Sequence, residues 1–208
     1  MNLQSKEIVM QNITHWPEIG INYWAINKVA TSSLMAYFVN KTSKLNLKEL
    51  NDNNDQQAKI IAKKEKRFIT RETAYSNGCR NLTVVRNPYD RLVSCFRMFK
   101  YPLNETQKSG AGKARFDPDW NEDQFLDFIE QQFSLNTRGN KHYAKQITFV
   151  PEVKKMDYII KLEEIFFKWP FSDDLPKFVF NASKKEKVYL DAARVKELYS
   201  EDYRIFGY

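Results

Sequence analysis

Residues Asn81–Ser94 read NLTVVRNPYDRLVS, and the fold turns on how this stretch is parsed. Its middle, Thr83-Val84-Val85, is β-branched, the composition of a buried strand. The run stops at Asn87-Pro88, where a proline fits the first helical turn because its missing N–H would have no partner there. Beyond it Leu92, Val93, Phe96 and Phe99 recur at helical spacing, so a helix starts at about Pro88. Strand, short turn, helix is the repeating unit of α/β proteins.

The same pattern appears upstream. Ile21–Ile26 (INYWAI) is a short apolar run, Asn27–Ser33 (NKVATSS) is a polar turn, and Leu34–Asn40 has apolar positions that suit a helix. Downstream, Asn121 precedes Glu122, Asp123 and Gln124, while Phe125, Phe128, Ile129 and Phe133 mark an amphipathic helix with an acidic first turn. Asp157–Leu162 (DYIIKL) reads as another buried strand, Phe178–Phe180 as a weaker one, and a last helix from near Asp191 carries Val195, Leu198 and Tyr199. The alternation predicts an α/β fold of three layers, a central mainly parallel sheet flanked by helices, in a single domain over residues 1–208. Two polar excursions, about 41–71 and 101–119, interrupt it. The first has Leu45, Leu47, Leu50, Ile60 and Ile61 as sparse anchors for one helix, and the second, around Leu103–Pro118, is aperiodic and reads as a loop.

At 42% hydrophobic the 208-residue chain is too apolar to be disordered. Its longest apolar stretch, Leu34–Val39, falls far short of the ~20 residues that span a bilayer, and Met1–Gln11 lacks the apolar core of a signal peptide. A soluble, cytoplasmic protein with no membrane span is therefore expected. The net charge of +7 favours an anionic partner, whether nucleic acid, anionic lipid, or a phosphorylated or sulfated small molecule, without choosing among them. Cys79 and Cys95 form no C-x-x-C pair and are expected as free thiols. No metal site is expected, because neither His15 nor His142 lies at ligand spacing from a cysteine.

Two constellations carry chemistry. A helix entered straight from a strand presents free backbone N–H groups and a positive dipole end; Thr31, Ser32 and Ser33 add hydroxyls there, and Lys28 adds a charge. That suits a phosphate or a sulfate. It is not a Walker A loop, since the lysine precedes the hydroxyl residues and the loop holds no glycine. Taken alone, a Ser/Thr helix cap beside a surface lysine is the plainer account. In the second constellation Arg86 falls at the carboxyl end of a strand, and Arg91 and Ser94 share a helix face. A guanidinium fork with a serine hydroxyl suits a second phosphate, while ordinary surface pairing with Asp90 and other acidic residues explains the isolated segment equally well.

Together the two are more specific. Asn27–Ser33 resembles the P-K-x-G-T-[ST]-x loop of PAPS-dependent sulfotransferases, and Val85–Ser94 resembles their V-R-[DN]-P-x-x-R-x-x-S segment. Lys141-His142-Tyr143-Ala144-Lys145-Gln146 and Asp157–Glu163 resemble the H-x-x-x-Q and D-[FY]-I-x-K-x-E stretches of the Golgi-type carbohydrate sulfotransferases. Tyr199–Tyr208 resembles the Y-x-x-D-[FY]-x-x-F-G-Y tail of that group. The similarity runs in order from about Tyr23 to Tyr208. Asn27 stands where proline is usual and Ala30 where glycine is usual, so a left-handed backbone at Ala30 would be strained.

The resemblance implies a P-loop NTPase-like sulfotransferase fold, PAPS as co-substrate with PAP as product, and no metal, because fixed cations and N–H groups do the neutralising. It implies that Lys28, Val29, Ala30, Thr31, Ser32 and Ser33 hold the 5′-phosphosulfate, with Lys28 stabilising charge on the leaving oxygen. Arg86 and Ser94 would hold the 3′-phosphate, with Arg91 orienting or assisting. His142 is the first candidate for the base that takes the acceptor's proton and Glu72 the second; a substrate-binding histidine and a solvated surface glutamate are the plainer alternatives. His15 is expected to be structural, and Glu163 to cap or pair near the sheet edge. The expected partner is a hydroxyl-bearing acceptor, a carbohydrate, and not nucleic acid. Two rivals remain at this level: a P-loop-type kinase using ATP, and a non-catalytic basic module for sulfated glycan or nucleic acid.

Overall fold

The computed structural model describes residues 12–42, 54–101, 117, 119–135, 141–171 and 187–208. Met1–Gln11, the Leu45, Leu47 and Leu50 anchors, nearly all of the second excursion and the expected Phe178–Phe180 strand lie outside the described residues. Within them the strands are β1 (Ile13–Trp16), β2 (Ile21–Trp24), β3 (Phe68–Ile69), β4 (Arg80–Val85) and β5 (Tyr158–Lys161). The helices are α1 (Thr31–Thr42), α2 (Asn54–Lys64), α3 (Arg71–Ser76), α4 (Pro88–Lys100), α5 (Glu122–Ser134), α6 (Ile165–Lys168), α7 (Ala192–Leu198) and α8 (Ser200–Phe206). No helix among the described residues is long and apolar enough to cross a membrane.

The five strands form one sheet in the order β3-β1-β2-β4-β5. Strands β2, β4 and β5 run parallel, as their helical crossovers require, but β1 is antiparallel to both β2 and β3. The sheet is therefore mixed, which corrects the mainly parallel arrangement expected from the sequence. The cause is a tight reversal at Pro17–Gly20, where Gly20 adopts φ +66°. A connection that short joins antiparallel neighbours only. Strand β1 shows little apolar alternation because Ile13–Trp16 is four residues long and carries Thr14 and His15. The first excursion supplies α2 and the short strand β3, which completes that edge.

Successive strand residues face opposite sides, and both sides are covered. Thr14, Trp16 and Tyr23 face α1, where Trp16 and Tyr23 lie 5.6 and 5.2 Å from the Phe38 ring. Asn22, Trp24 and Asn81 face α3, with Trp24 stacked 5.0 Å from Tyr75. This second side is sewn by amides: Asn22 donates to the Ala74 carbonyl at 2.9 Å and to Asn77 Oδ1 at 3.0 Å, and the Trp24 indole donates to Asn81 Oδ1 at 2.9 Å. His15 joins the same network, its Nδ1 lying 2.9 Å from Asn22 Oδ1. Buried polar groups satisfied in this way fix one packing of α3 on the sheet.

Helix α4 begins at Pro88, where the Asn87 side chain accepts from the Tyr89 N–H. Its Leu92, Phe96 and Phe99 form a second buried cluster with Phe125, Leu126 and Ile129 of α5 and with Val195 and Tyr199. A reciprocal capping box between Asn121 and Gln124 starts α5, and Asp191 caps α7. Helix α4 thus packs its buried face against α5 and the C-terminal helices.

Candidate functional site

Because β2 and β4 are parallel neighbours, the loops that follow Trp24 and Val85 leave the same end of the sheet side by side. Carboxyl ends of adjacent parallel strands are where open α/β sheets bind ligands. The first loop, Ala25–Ala30, enters α1; Leu34 donates the first helical hydrogen bond, to the Ala30 carbonyl, so the Thr31, Ser32 and Ser33 amides precede the hydrogen-bonded ladder. The second loop, Arg86-Asn87, enters α4. The side-chain nitrogen of Arg86 lies 3.4 Å from the Lys28 carbonyl, so the two expected anion sites adjoin.

Two residues of the first loop have left-handed backbones, Lys28 at φ +70° and Ala30 at φ +59°. Each costs a residue with a Cβ of order 1–3 kcal/mol, and such strain persists where the surroundings impose it. Val29 between them is fully buried and anchors the loop to the core. The Thr31 hydroxyl donates to the Ile26 carbonyl and closes the loop from inside, so its proton is already committed. An Ala30→Gly variant is expected to gain about 0.5–1 kcal/mol in stability, measured by denaturant unfolding, because glycine accepts this backbone without strain. Lower stability in that variant would mean that Ala30 is relaxed as it stands.

Arg91 is buried, with 1% of its surface exposed. Its Nε donates to the Asn27 carbonyl at 3.0 Å, and a terminal nitrogen reaches the Lys141 carbonyl at 3.5 Å. The side chain therefore ties the lysine loop to the segment that opens at Lys141. Ser94 sits half-buried one turn further along the same helix face. The charges of Arg86 and Arg91 act on Lys28, whose pKa is lowered first by burial and then by those neighbours. Burial also lowers Arg86, although Asp90 and Glu163 act in the opposite sense.

His142 is brought to this cluster. Its Nδ1 is 3.5 Å from the Asn27 side-chain nitrogen, the outer limit of hydrogen bonding, so that contact selects no tautomer. The ring meets Phe99 edge-on at 6.1 Å. Burial, and then the charges of Lys28, Lys141 and Arg91, push its pKa down to about 3, which leaves the imidazole neutral. Glu72 is placed differently. It lies exposed in the first turn of α3, held low by its own backbone N–H and the Thr70 hydroxyl.

Sequence reasoning assigned no role to the residues that hold these loops together. Gln146 grips Arg86 through both backbone groups: its Oε1 accepts from the Arg86 N–H at 3.0 Å and its Nε2 donates to the Arg86 carbonyl at 2.8 Å. Gln146 is in turn fixed by Asp202, whose carboxylate accepts from the Gln146 and Ile147 N–H groups at 2.7 and 3.0 Å. The Tyr199 hydroxyl donates to the Tyr143 carbonyl at 2.5 Å. Helix α8 and its preceding turn therefore secure the segment that carries His142. The signal lay in the quoted H-x-x-x-Q and Y-x-x-D motifs, where the polar residues are buried braces.

At the ends of two parallel strands the fold brings together an ammonium, a guanidinium and the amides that open α1. The sulfotransferase family profile matches residues 11–187, and the chain belongs to that family. No curated protein and no solved structure matches it. Among the described residues no cluster of three or more His, Cys, Asp and Glu side chains is arranged to hold a metal ion.

Proposed function

We propose that this sulfotransferase moves a sulfuryl group from PAPS to a hydroxyl of a carbohydrate acceptor by direct in-line displacement, as a single-domain, cytoplasmic enzyme with a P-loop NTPase-like nucleotide site. The observation that carries the reading is the pair of adjoining cations on neighbouring strand ends, Lys28 before the start of α1 and Arg86 before the start of α4. A cluster of cations with no paired carboxylate at Lys28 among the described residues fits a highly charged anionic ligand. When bound, PAPS supplies a sulfuryl group activated as a phosphosulfate anhydride, together with a 3′-phosphate that ATP lacks.

The chain's own residues then divide the work. The Lys28 ammonium and the amides at the start of α1 neutralise charge that develops on the leaving oxygen. Arg86 and Ser94 hold the 3′-phosphate, and Arg91 keeps the lysine loop in place through the Asn27 carbonyl. His142, held neutral, accepts the acceptor's proton on its unprotonated ring nitrogen. The carbohydrate class rests on the likeness of segment 141–146 to carbohydrate enzymes.

Negative charge brought by the nucleotide offsets the cations that depress His142, so its pKa in the complex rises from about 3 toward the neutral range. The sign is fixed: the base works when neutral, so turnover falls as pH drops through that raised pKa. His142→Ala is expected to lose about 10²–10⁴-fold in kcat and to lose the acidic limb of the pH–rate profile. Near-full turnover in the variant would place the base elsewhere. The overall reading is tested by labelled-sulfate transfer from PAPS across a panel of sugars, lipids, peptides and phenols. Transfer to a sugar hydroxyl is expected; transfer confined to phenols or peptides would overturn the acceptor class, and magnesium-dependent phosphate transfer from ATP would replace the reaction altogether.

A further inference from the structure

The Arg86-Asn87 turn is held from two sides, and only one of them is the Gln146 grip. On the other side Glu163, at the carboxyl end of β5, accepts from the Asn87 N–H at 3.0 Å through Oε1 and from the Tyr208 hydroxyl at 2.9 Å through Oε2. Tyr208 is itself fixed. Lys161 donates to the Gly207 carbonyl at 2.6 Å and places its ammonium 4.5 Å from the centre of the Tyr208 ring. Gly207 ends α8 at φ +67°, a backbone that favours glycine, and this reversal folds Tyr208 back, its N–H donating to the Tyr203 carbonyl. The helix that carries Asp202, and through it Gln146, thus also delivers Tyr208 to Glu163.

We infer that residues 207–208 form a latch, Lys161–Tyr208–Glu163, that fixes the Arg86-Asn87 turn and so sets the position of the Arg86 guanidinium. Helix α8 and its reversal then grip one two-residue turn through two arms, Asp202–Gln146 on Arg86 and Tyr208–Glu163 on Asn87. Glu163 also supplies charge that acts on Arg86, so the latch sets the turn's electrostatics along with its geometry. Tyr208 and Glu163 are positioning residues. That the turn matters for a 3′-phosphate rests on the function proposed above; that the latch holds the turn does not.

The test separates the two. In the unliganded protein, amide hydrogen exchange at Asn87 is followed by NMR for wild type, Tyr208→Phe and Lys161→Met, with Thr83 in the interior of β4 as the control. Because Glu163 is exposed and each bond is worth little alone, exchange at Asn87 is expected to quicken by about threefold to tenfold in each variant, with Thr83 unchanged. Unchanged exchange at Asn87 in both variants would overturn the latch, and equal acceleration at Thr83 would reduce it to general loosening. PAP and AMP affinities are then measured by calorimetry. A selective loss for PAP in Tyr208→Phe supports the link to Arg86, whereas an unchanged PAP preference breaks that link. If wild type itself shows no preference, the function proposed above fails, and the exchange result still decides the latch.

Discussion

Lys28→Met is expected to cut sulfuryl transfer by about 10²–10³-fold, the usual effect of removing one charge-stabilising group from a preorganised site. Burial and the charges of Arg86 and Arg91 depress its pKa, so keeping it protonated works against the fold. For a lysine lowered in this way, the unfolded chain binds the proton more tightly than the folded one. Its cost to stability is present below the folded pKa and fades as pH rises toward the ordinary lysine value. Methionine keeps most of the length and removes the charge, so thermal stability at neutral pH is expected to stay level or rise while turnover collapses. Thermal unfolding and labelled-sulfate transfer on the same preparations check both signs. A variant that loses stability and activity together would make Lys28 a packing residue. Lys28→Arg is not expected to rescue fully, because a planar guanidinium does not fit the geometry of a point charge in a tight loop.

Arg86→Ala is expected to weaken PAP by about 10–100-fold and leave AMP unchanged, because the lost interaction is a charge-assisted bond to the 3′-phosphate alone. Gln146 grips Arg86 by its backbone and Glu163 grips Asn87 by its N–H, so the turn survives removal of the side chain. This sets Arg86 apart from Arg91. Truncating Arg91 would leave the Asn27 and Lys141 carbonyls without their donor, disturbing the lysine loop and segment 141–148 at once. Calorimetric titration with PAP and AMP reads the difference, and equal losses for the two nucleotides would move Arg86 from recognition to structure.

The centre of the site was legible in the sequence because it depends on local order. Strand, turn and helix places Lys28, Thr31 and Arg86 at strand ends from periodicity alone, and Asn87-Pro88 marks the start of α4 to the residue. What periodicity does not carry is pairing direction. The hairpin of β1 with β2 rests on one short reversal at Gly20, and β3 is two residues long, too short to show alternation. The braces were harder still. Gln146 and Asp202 lie 60 and 56 residues from their partners Arg86 and Gln146, a separation at which no local rule speaks. The strain anticipated at Ala30 is present, and Lys28 shares it, because the loop must turn sharply between a buried Val29 and the first turn of α1.

The central claim is that two adjoining cation sites take the two anionic ends of one nucleotide. Calorimetry on the wild-type protein with PAP and with AMP tests it most directly, since the ligands differ only in the 3′-phosphate. The account predicts that PAP binds about 100-fold more tightly than AMP, with the difference shrinking as salt is raised. Equal affinities for the two would contradict it.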